Sequence, residues 1–341
     1  MLHTLRNGVR LVAVALAVGT SLTSCIDEDL SQCGKDYNVD YQVQLHTSVN
    51  AELNTELVTI NERALAESLG TDLSDVFTDR ARDLDLGFYS SDDRLVQHGQ
   101  HQIDASSAAF TLYLPVQKYT NLSLANMAQE PLVTAEGFDN MRTLTLRQAD
   151  RDTIDSQRIG LFSARQEMAM EERDSTFHVD LYMQNCTSCL VVDPGNVEVE
   201  DMYGYATGFA TSFNVCDSVY QFERKTWVRQ KVMRQNGLFA LYATTFPSHN
   251  RGEAVDIAES ESRAADDAAA NALWRINVYI KLKNGKTTEN ILYVREPLRA
   301  GQMHIVKARL RQDGGMTTTT QNVGVSVKLD WKPGGEHDIE I

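Results

Sequence analysis

Two-residue turn signals set between alternating runs constrain this chain more than any other feature of its 341 residues. Trp274, Ile276, Val278, Ile280 and Leu282 alternate with Arg275, Asn277, Tyr279 and Lys281, and a second run from Thr287 to Arg295 follows across Asn284-Gly285. Successive side chains of a strand point to opposite faces, so the pattern buries one face and gives the other to polar groups. Asn-Gly reaches the positive φ values of a type I′ turn at low cost, and the segment is predicted to close as a tight hairpin. The same signal recurs at Asn236-Gly237, between Thr226 to Arg234 and Leu238 to Thr245.

Shorter strands are predicted along most of the chain. Val39, Tyr41, Val43 and Leu45 alternate with polar residues, and Leu84 to Tyr89 turns through Ser90 to Asp93 into Arg94 to Gln97. Further runs lie at Ala109 to Leu114, Asn121 to Asn126, Thr143 to Arg147, Phe177 to Met183, His304 to Leu310 and Val323 to Trp331. Between residues 61 and 81, Leu65, Leu69, Leu73, Val76 and Phe77 fall at helical spacing, which predicts a short amphipathic helix over a sheet edge or face. Many short, hairpin-linked strands with little helix give two β-sandwiches and argue against an α/β architecture. A length of 341 residues fits two domains at about 150 residues each. The polar stretch from Ala149 to Asp155 places a boundary near residue 155, with domains over 37–155 and 156–341. Gly252 to Asn271 reads as an acidic, alanine-rich insertion in the second domain.

The first segment reads as a delivery signal. Arg6 and Arg10 precede an apolar run from Leu11 to Val18, eight residues where a membrane span needs about 20. Ser21-Leu22-Thr23-Ser24-Cys25 resembles the lipobox of bacterial lipoproteins. Residues 1–24 are then a signal peptide, and Cys25 carries a diacylglycerol and an acyl chain. Each buried methylene contributes about 0.8 kcal/mol, so two or three chains anchor the protein where one would not. Residues 25–36 form the tether, and its Ile26-Asp27-Glu28-Asp29 resembles the signal that sends Bacteroidetes lipoproteins to the outer face of the outer membrane.

Charge and motifs narrow the function. Asp and Glu outnumber Lys and Arg by 47 to 32, a net charge of -15 that opposes binding to nucleic acid phosphates. No glycine-rich nucleotide loop, Gly-x-Ser-x-Gly or His-Glu-x-x-His occurs, so no catalytic residue, metal ligand or cofactor is assigned beyond the lipid on Cys25. His98 and His101 are placed in a polar loop as solvated residues, and Asp92-Asp93 and Asp266-Asp267 in turns and loops. A surface hydrolase would need two converging carboxylates, which the sequence does not supply. Cys33, Cys186, Cys189 and Cys216 allow disulfides in an exported protein, and four cysteines permit three pairings. Cys186-Thr187-Ser188-Cys189 also has the spacing of half a zinc site or a redox pair, but no second such motif accompanies it. Trp227, Trp274 and Trp331 lie in apparent strands, which favours core packing over a sugar-binding platform.

Several landmarks together resemble the FimB/Mfa2 family of fimbrial anchor lipoproteins. They are the opening from Cys25 to Cys33 with the strand after it, Leu84 to Val96, Leu114-Pro115-Val116-Gln117-Lys118-Tyr119, and the last strand ending in Trp331. Leu124-Ala125-Asn126 and the alanine-rich insertion depart from the family pattern. The resemblance implies two tandem transthyretin-like β-sandwich domains with short helical insertions. It also implies a place in the outer membrane at the base of a type V pilus, holding the fibre and limiting its length through contact with shaft pilin subunits. A shaft pilin of this class loses its first strand to an arginine-specific protease, whereas an anchor keeps its lipidated N-terminus. Strand addition pairs main-chain hydrogen bonds with alternate side chains that select the partner. The expected partner-binding residues are Val323, Val325, Val327, Leu329 and Trp331, set against the plainer reading that they complete the protein's own sheet. The alternative function is a surface glycan-binding lipoprotein of a polysaccharide-uptake system.

Overall fold

Strands far apart in sequence come together in four sheets. The computed structural model describes residues 36–46, 56–103, 109–171, 173–251 and 269–329. Cys25, Cys33, Trp331, Asp266-Asp267 and most of the insertion at 252–271 lie outside the described residues.

The chain is mainly β, as expected. A seven-stranded sheet runs, in spatial order, Leu95–Gln102, Asp83–Tyr89, Lys118–Ala125, Phe162–Ala169, Ser175–Met183, Asp36–His46 and Ala109–Pro115. Facing part of it is a four-stranded sheet, Val219–Gln221, Ser212–Asn214, Thr145–Gln148 and Val133–Glu136. A five-stranded sheet runs Lys231–Gln235, Leu238–Thr245, Cys186–Asp193, Met303–Leu310 and Met316–Thr318. The last, of six strands, runs Val323–Leu329, Thr287–Val294, Trp274–Leu282, Val199–Thr207, Trp227–Arg229 and Thr153–Ile154.

Burial shows how the sheets stack. Tyr89, Leu122 and Leu124 of the seven-stranded sheet share a core with Leu146 and Phe213 of the four-stranded one. Leu190, Leu241 and Val306 of the five-stranded sheet pack on Ile276, Val278 and Leu292 of the six-stranded one. These are two β-sandwiches. A third core joins them: Leu84, Leu86 and Phe88, on the other face of the seven-stranded sheet, meet Leu65 and Leu69 of the helix Arg63–Asp72 and Cys189, Val191 and Tyr242 of the five-stranded sheet. The helix thus covers a sheet face, with Glu62 as N-cap accepting from the Ala64 N–H at 3.2 Å. It ends at Asp72, while Leu73, Val76 and Phe77 carry the buried stripe onward in a turn.

The chain crosses between sandwiches more often than composition suggests. Thr153–Ile154, before residue 155, pairs with Trp227–Arg229 in the six-stranded sheet. Phe162–Ala169 and Ser175–Met183, after it, lie at the centre of the seven-stranded sheet. The polar stretch from Ala149 to Asp155 is the first of these crossings, tied down by Arg224, whose Nη1 donates to the Arg151 carbonyl at 2.6 Å.

The two Asn-Gly turns differ. Asn236 and Gly237 take φ values of 48° and 85°, and Gln235 faces Leu238, the expected type I′ hairpin. At the second, only Gly285 is left-handed, at φ 83°. The Gly285 N–H donates to the Leu282 carbonyl and the Leu282 N–H to the Lys286 carbonyl, both at 2.9 Å, so Lys283, Asn284 and Gly285 form a three-residue loop. This is a type I turn closed by a glycine bulge, and it corrects the expected type I′ turn. Asn284 instead uses its Oδ1 to accept from the Lys286 N–H at 3.0 Å.

Candidate partner-binding edge

Val323–Leu329 forms a strand because valines at alternate positions meet a hydrophobic core on one face. Val323 and Val325 pack against the cluster that holds Leu292 and Val294. The strand pairs antiparallel with Thr287–Val294 in unbroken register from Val323↔Val294 to Leu329↔Thr288. It is the terminal strand of its sheet, and no strand among the described residues pairs with its outer side. Completing the protein's own sheet and presenting an edge are therefore both true of this segment.

Backbone alternation shows which residues face outward. The Val294 carbonyl accepts from the Leu273 N–H on one side of its strand, and the Arg295 N–H donates to the Asn322 carbonyl on the other, at 2.8 and 2.9 Å. Antiparallel strands serve their two neighbours with alternate residues. By that rule Gly324, Ser326 and Lys328 bond inward to Thr287–Val294. Val323, Val325, Val327 and Leu329 turn their N–H and C=O groups to the open edge. The four sequence-predicted residues within the described range are thus the four with outward backbone, and Leu329 is 49% exposed.

The first strand is closed instead. Asp36–His46 lies inside the seven-stranded sheet between Ser175–Met183 and Ala109–Pro115. It pairs in parallel with Ser175–Met183 over eight positions, from Val39↔Ser175 to His46↔Tyr182.

Other sequence candidates resolve into structural roles. Cys186 and Cys189 open the strand Cys186–Asp193, and their separation of three sends them to opposite faces and different cores. They cannot share a metal, and both are free thiols, as is Cys216. Burial raises the pKa of the Cys186 and Cys189 thiols. His98 and His101 lie in the strand Leu95–Gln102, not in a loop, and their spacing likewise puts them on opposite faces. His98 contacts the Asp85 carboxylate and lies tilted against the Phe138 ring, centroids 4.4 Å apart. Asp92 and Asp93 are engaged in their turn, Asp92 with Ser90 and Arg94 and Asp93 with Arg142.

The tryptophans do not make a platform. Trp274 is buried in the core and donates its Nε1–H to the Glu296 carbonyl at 2.8 Å. Trp227 is half-buried, with the Arg275 guanidinium 4.8 Å and the Lys225 ammonium 4.9 Å from its ring centre. Among the described residues no helix is long and apolar enough to cross a membrane.

No family model matches the chain. No curated protein matches its sequence. Solved structures match its architecture. A candidate adhesin of Bacteroides ovatus aligns over 91% of this chain and 98% of its own, at 9% identity and a TM-score of 0.51. A candidate polysaccharide-binding protein of Bacteroides thetaiotaomicron aligns over 84% and 99%, at 8% identity and a TM-score of 0.51. The chain shares their fold. The fimbrial anchor protein Mfa2 of Porphyromonas gingivalis aligns over 86% and 99%, at 9% identity and a TM-score of 0.46.

Proposed function

We propose that this chain is the lipid-tethered anchor of a surface fibre, and that a fibre subunit adds a strand along Val323–Leu329. The observation that carries the reading is the contrast between a closed first strand and an open last one. Asp36–His46 fills its place in the sheet, so the groove that a shaft subunit offers to its neighbour is occupied here by the chain's own strand. No arginine stands between Cys25 and the end of that strand, so cleavage after arginine cannot part the lipid cysteine from the sheet. The outward backbone of Val323–Leu329 supplies general affinity, and its half-exposed side chains supply selection. In this reading the protein resides on the outer membrane through its lipid, and its partners are pilin subunits. The packing of Trp274 and Trp227 leaves neither ring free for sugar stacking, which favours the anchor over the glycan-binding alternative.

Mild cross-linking of intact cells, followed by capture and mass spectrometry, tests the proposal. Pilin subunits are expected with the wild type. Fibres should be shed into the medium by Cys25→Ala cells, and cross-linking should be lost in Val327→Pro, which removes an outward N–H. Recovery of glycan importers without pilin, with no fibre shed, would sink it.

A further inference from the structure

Lys328 lies directly across from Glu289 in the register of Val323–Leu329 with Thr287–Val294. Opposite charges so placed ordinarily close an ion pair across the two strands. Here they do not. Glu289 is 8% exposed, and its Oε1 accepts from Asn277 Nδ2 at 3.1 Å, on the strand beyond. Lys328 is exposed, and among the described residues no carboxylate comes within ion-pair distance of its ammonium. Its backbone bonds inward, so in an antiparallel strand added to the open edge the residue opposite it falls at a non-hydrogen-bonded position. Side chains approach most closely at such positions, with Cα atoms about 4.5 Å apart.

A cation in this place acts on incoming strands in two ways. A strand that sets an apolar residue or a second cation beside the ammonium strips its water or repels it, and edge lysines guard sheets against indiscriminate pairing in this manner. A strand that sets a carboxylate there pairs the charge. Residues 323–329 contain no acid, so a second copy of the same strand supplies none. On the other face Val323, Val325 and Val327 are half-buried and Leu329 is 49% exposed, which leaves the edge of the core open to apolar side chains at alternate positions of an added strand. The whole chain carries a net charge of -15, so an acidic strand gains nothing from the wider field, and pairing at Lys328 sets register and identity instead of the rate of encounter.

Resting on the strand-addition reading above, we infer that Lys328 selects the incoming strand. Its partner is an extended segment, apolar at alternate positions toward the core, with an aspartate or glutamate opposite Lys328 that fixes the register.

Binding of three labelled peptides to the full-length protein in detergent, read by fluorescence anisotropy, tests this. Each alternates valine with threonine, and the central threonine is replaced by glutamate, glutamine or lysine. The glutamate peptide should bind about fivefold tighter than the glutamine peptide, the most that one cross-strand ion pair contributes, and the lysine peptide should bind weakest. Added salt should narrow the gap. A zero-length carbodiimide should couple the glutamate peptide to Lys328, mapped by mass spectrometry of the joined fragments. Lys328→Glu changes an exposed side chain and should reverse the order of the peptides. Val327→Pro should weaken all of them alike. Charge-blind binding that Val327→Pro still abolishes would overturn the role of Lys328 and leave strand addition standing. Binding by none of the peptides, with nothing coupled to Lys328, would sink both.

Discussion

The Arg275 guanidinium lies 4.8 Å from the centre of the Trp227 ring, on the face of the six-stranded sheet turned away from the core. Arg275 is fully buried, and its cross-strand neighbour Tyr293 is buried beside it. Burial pulls the guanidinium below its ordinary pKa, and Tyr293 opposes that shift. An aromatic face is one of the few apolar surfaces that attracts a cation, so Trp227 lets the charge sit there. A desolvated contact of this kind is worth about 2 kcal/mol. Trp227→Leu should lose about that much in chemical denaturation, and far less when Arg275 is already methionine. A double-mutant cycle with no coupling would show that the ring only fills space.

The open edge makes a prediction residue by residue. Amide hydrogens of Gly324, Ser326 and Lys328, bonded inward, should exchange slowly, while those of Val323, Val325, Val327 and Leu329 exchange quickly. Exchange measured by NMR that is uniform along the strand would contradict the assigned edge. Truncation after Asn322 is a different perturbation, because it uncovers the core beneath Val323 and Val325. It should cost roughly 2 kcal/mol or more by the area it exposes.

Left-handed glycines separate conformational from steric cost. A Cβ at Gly237 would meet nothing within 4 Å, so Gly237→Ala should cost about 1–2 kcal/mol from backbone strain alone. A Cβ at Gly208, at φ 99°, would lie 2.7 Å from the Trp274 Cα. Gly208→Ala should therefore lower the melting temperature by clearly more than Gly237→Ala. Equal shifts would mean that the sheet yields at Gly208.

His304 gives the fold an acid-side weakness. It sits edge-on to Trp274, and burial lowers its pKa below the ordinary 6.5, against the pull of Glu56 and Glu296. The neutral ring is the one that fits the fold. Its stabilising effect is complete above the unfolded value near 6.5 and is lost as pH falls below it. Denaturation midpoints should drop between about pH 7.5 and pH 5.5. His304→Gln should flatten that slope without abolishing it, because His101 is shifted the same way by burial. An unchanged slope in the variant would remove His304 from the account.

Thiol chemistry should follow burial. Cys186, Cys189 and Cys216 are buried, and burial raises the pKa of each. A maleimide reagent should label none of the three in the folded protein and all three in denaturant, read by mass spectrometry of their peptides. Rapid labelling of Cys216 in the native state would show that its corner of the first sandwich opens.

What the sequence determined by itself is local. Period-two alternation and turn chemistry act between neighbours, so the strands at 274–282 and 287–294, the helix stripe from Leu65 to Phe77 and the Asn236-Gly237 turn were all legible. The candidate edge was legible for the same reason, since three alternate valines need only one face to bury. What only the tertiary structure decided is partnership over distance. Ser175–Met183 pairs in parallel with Asp36–His46, far from it in sequence, and no residue near 155 encodes that pairing. The burial of Asp83, which is 5% exposed, and the aromatic partner of Arg275 were equally hidden. Each was written as a polar residue in an alternating strand, which normally faces water, and only the packing of another layer or a distant ring placed it out of solvent.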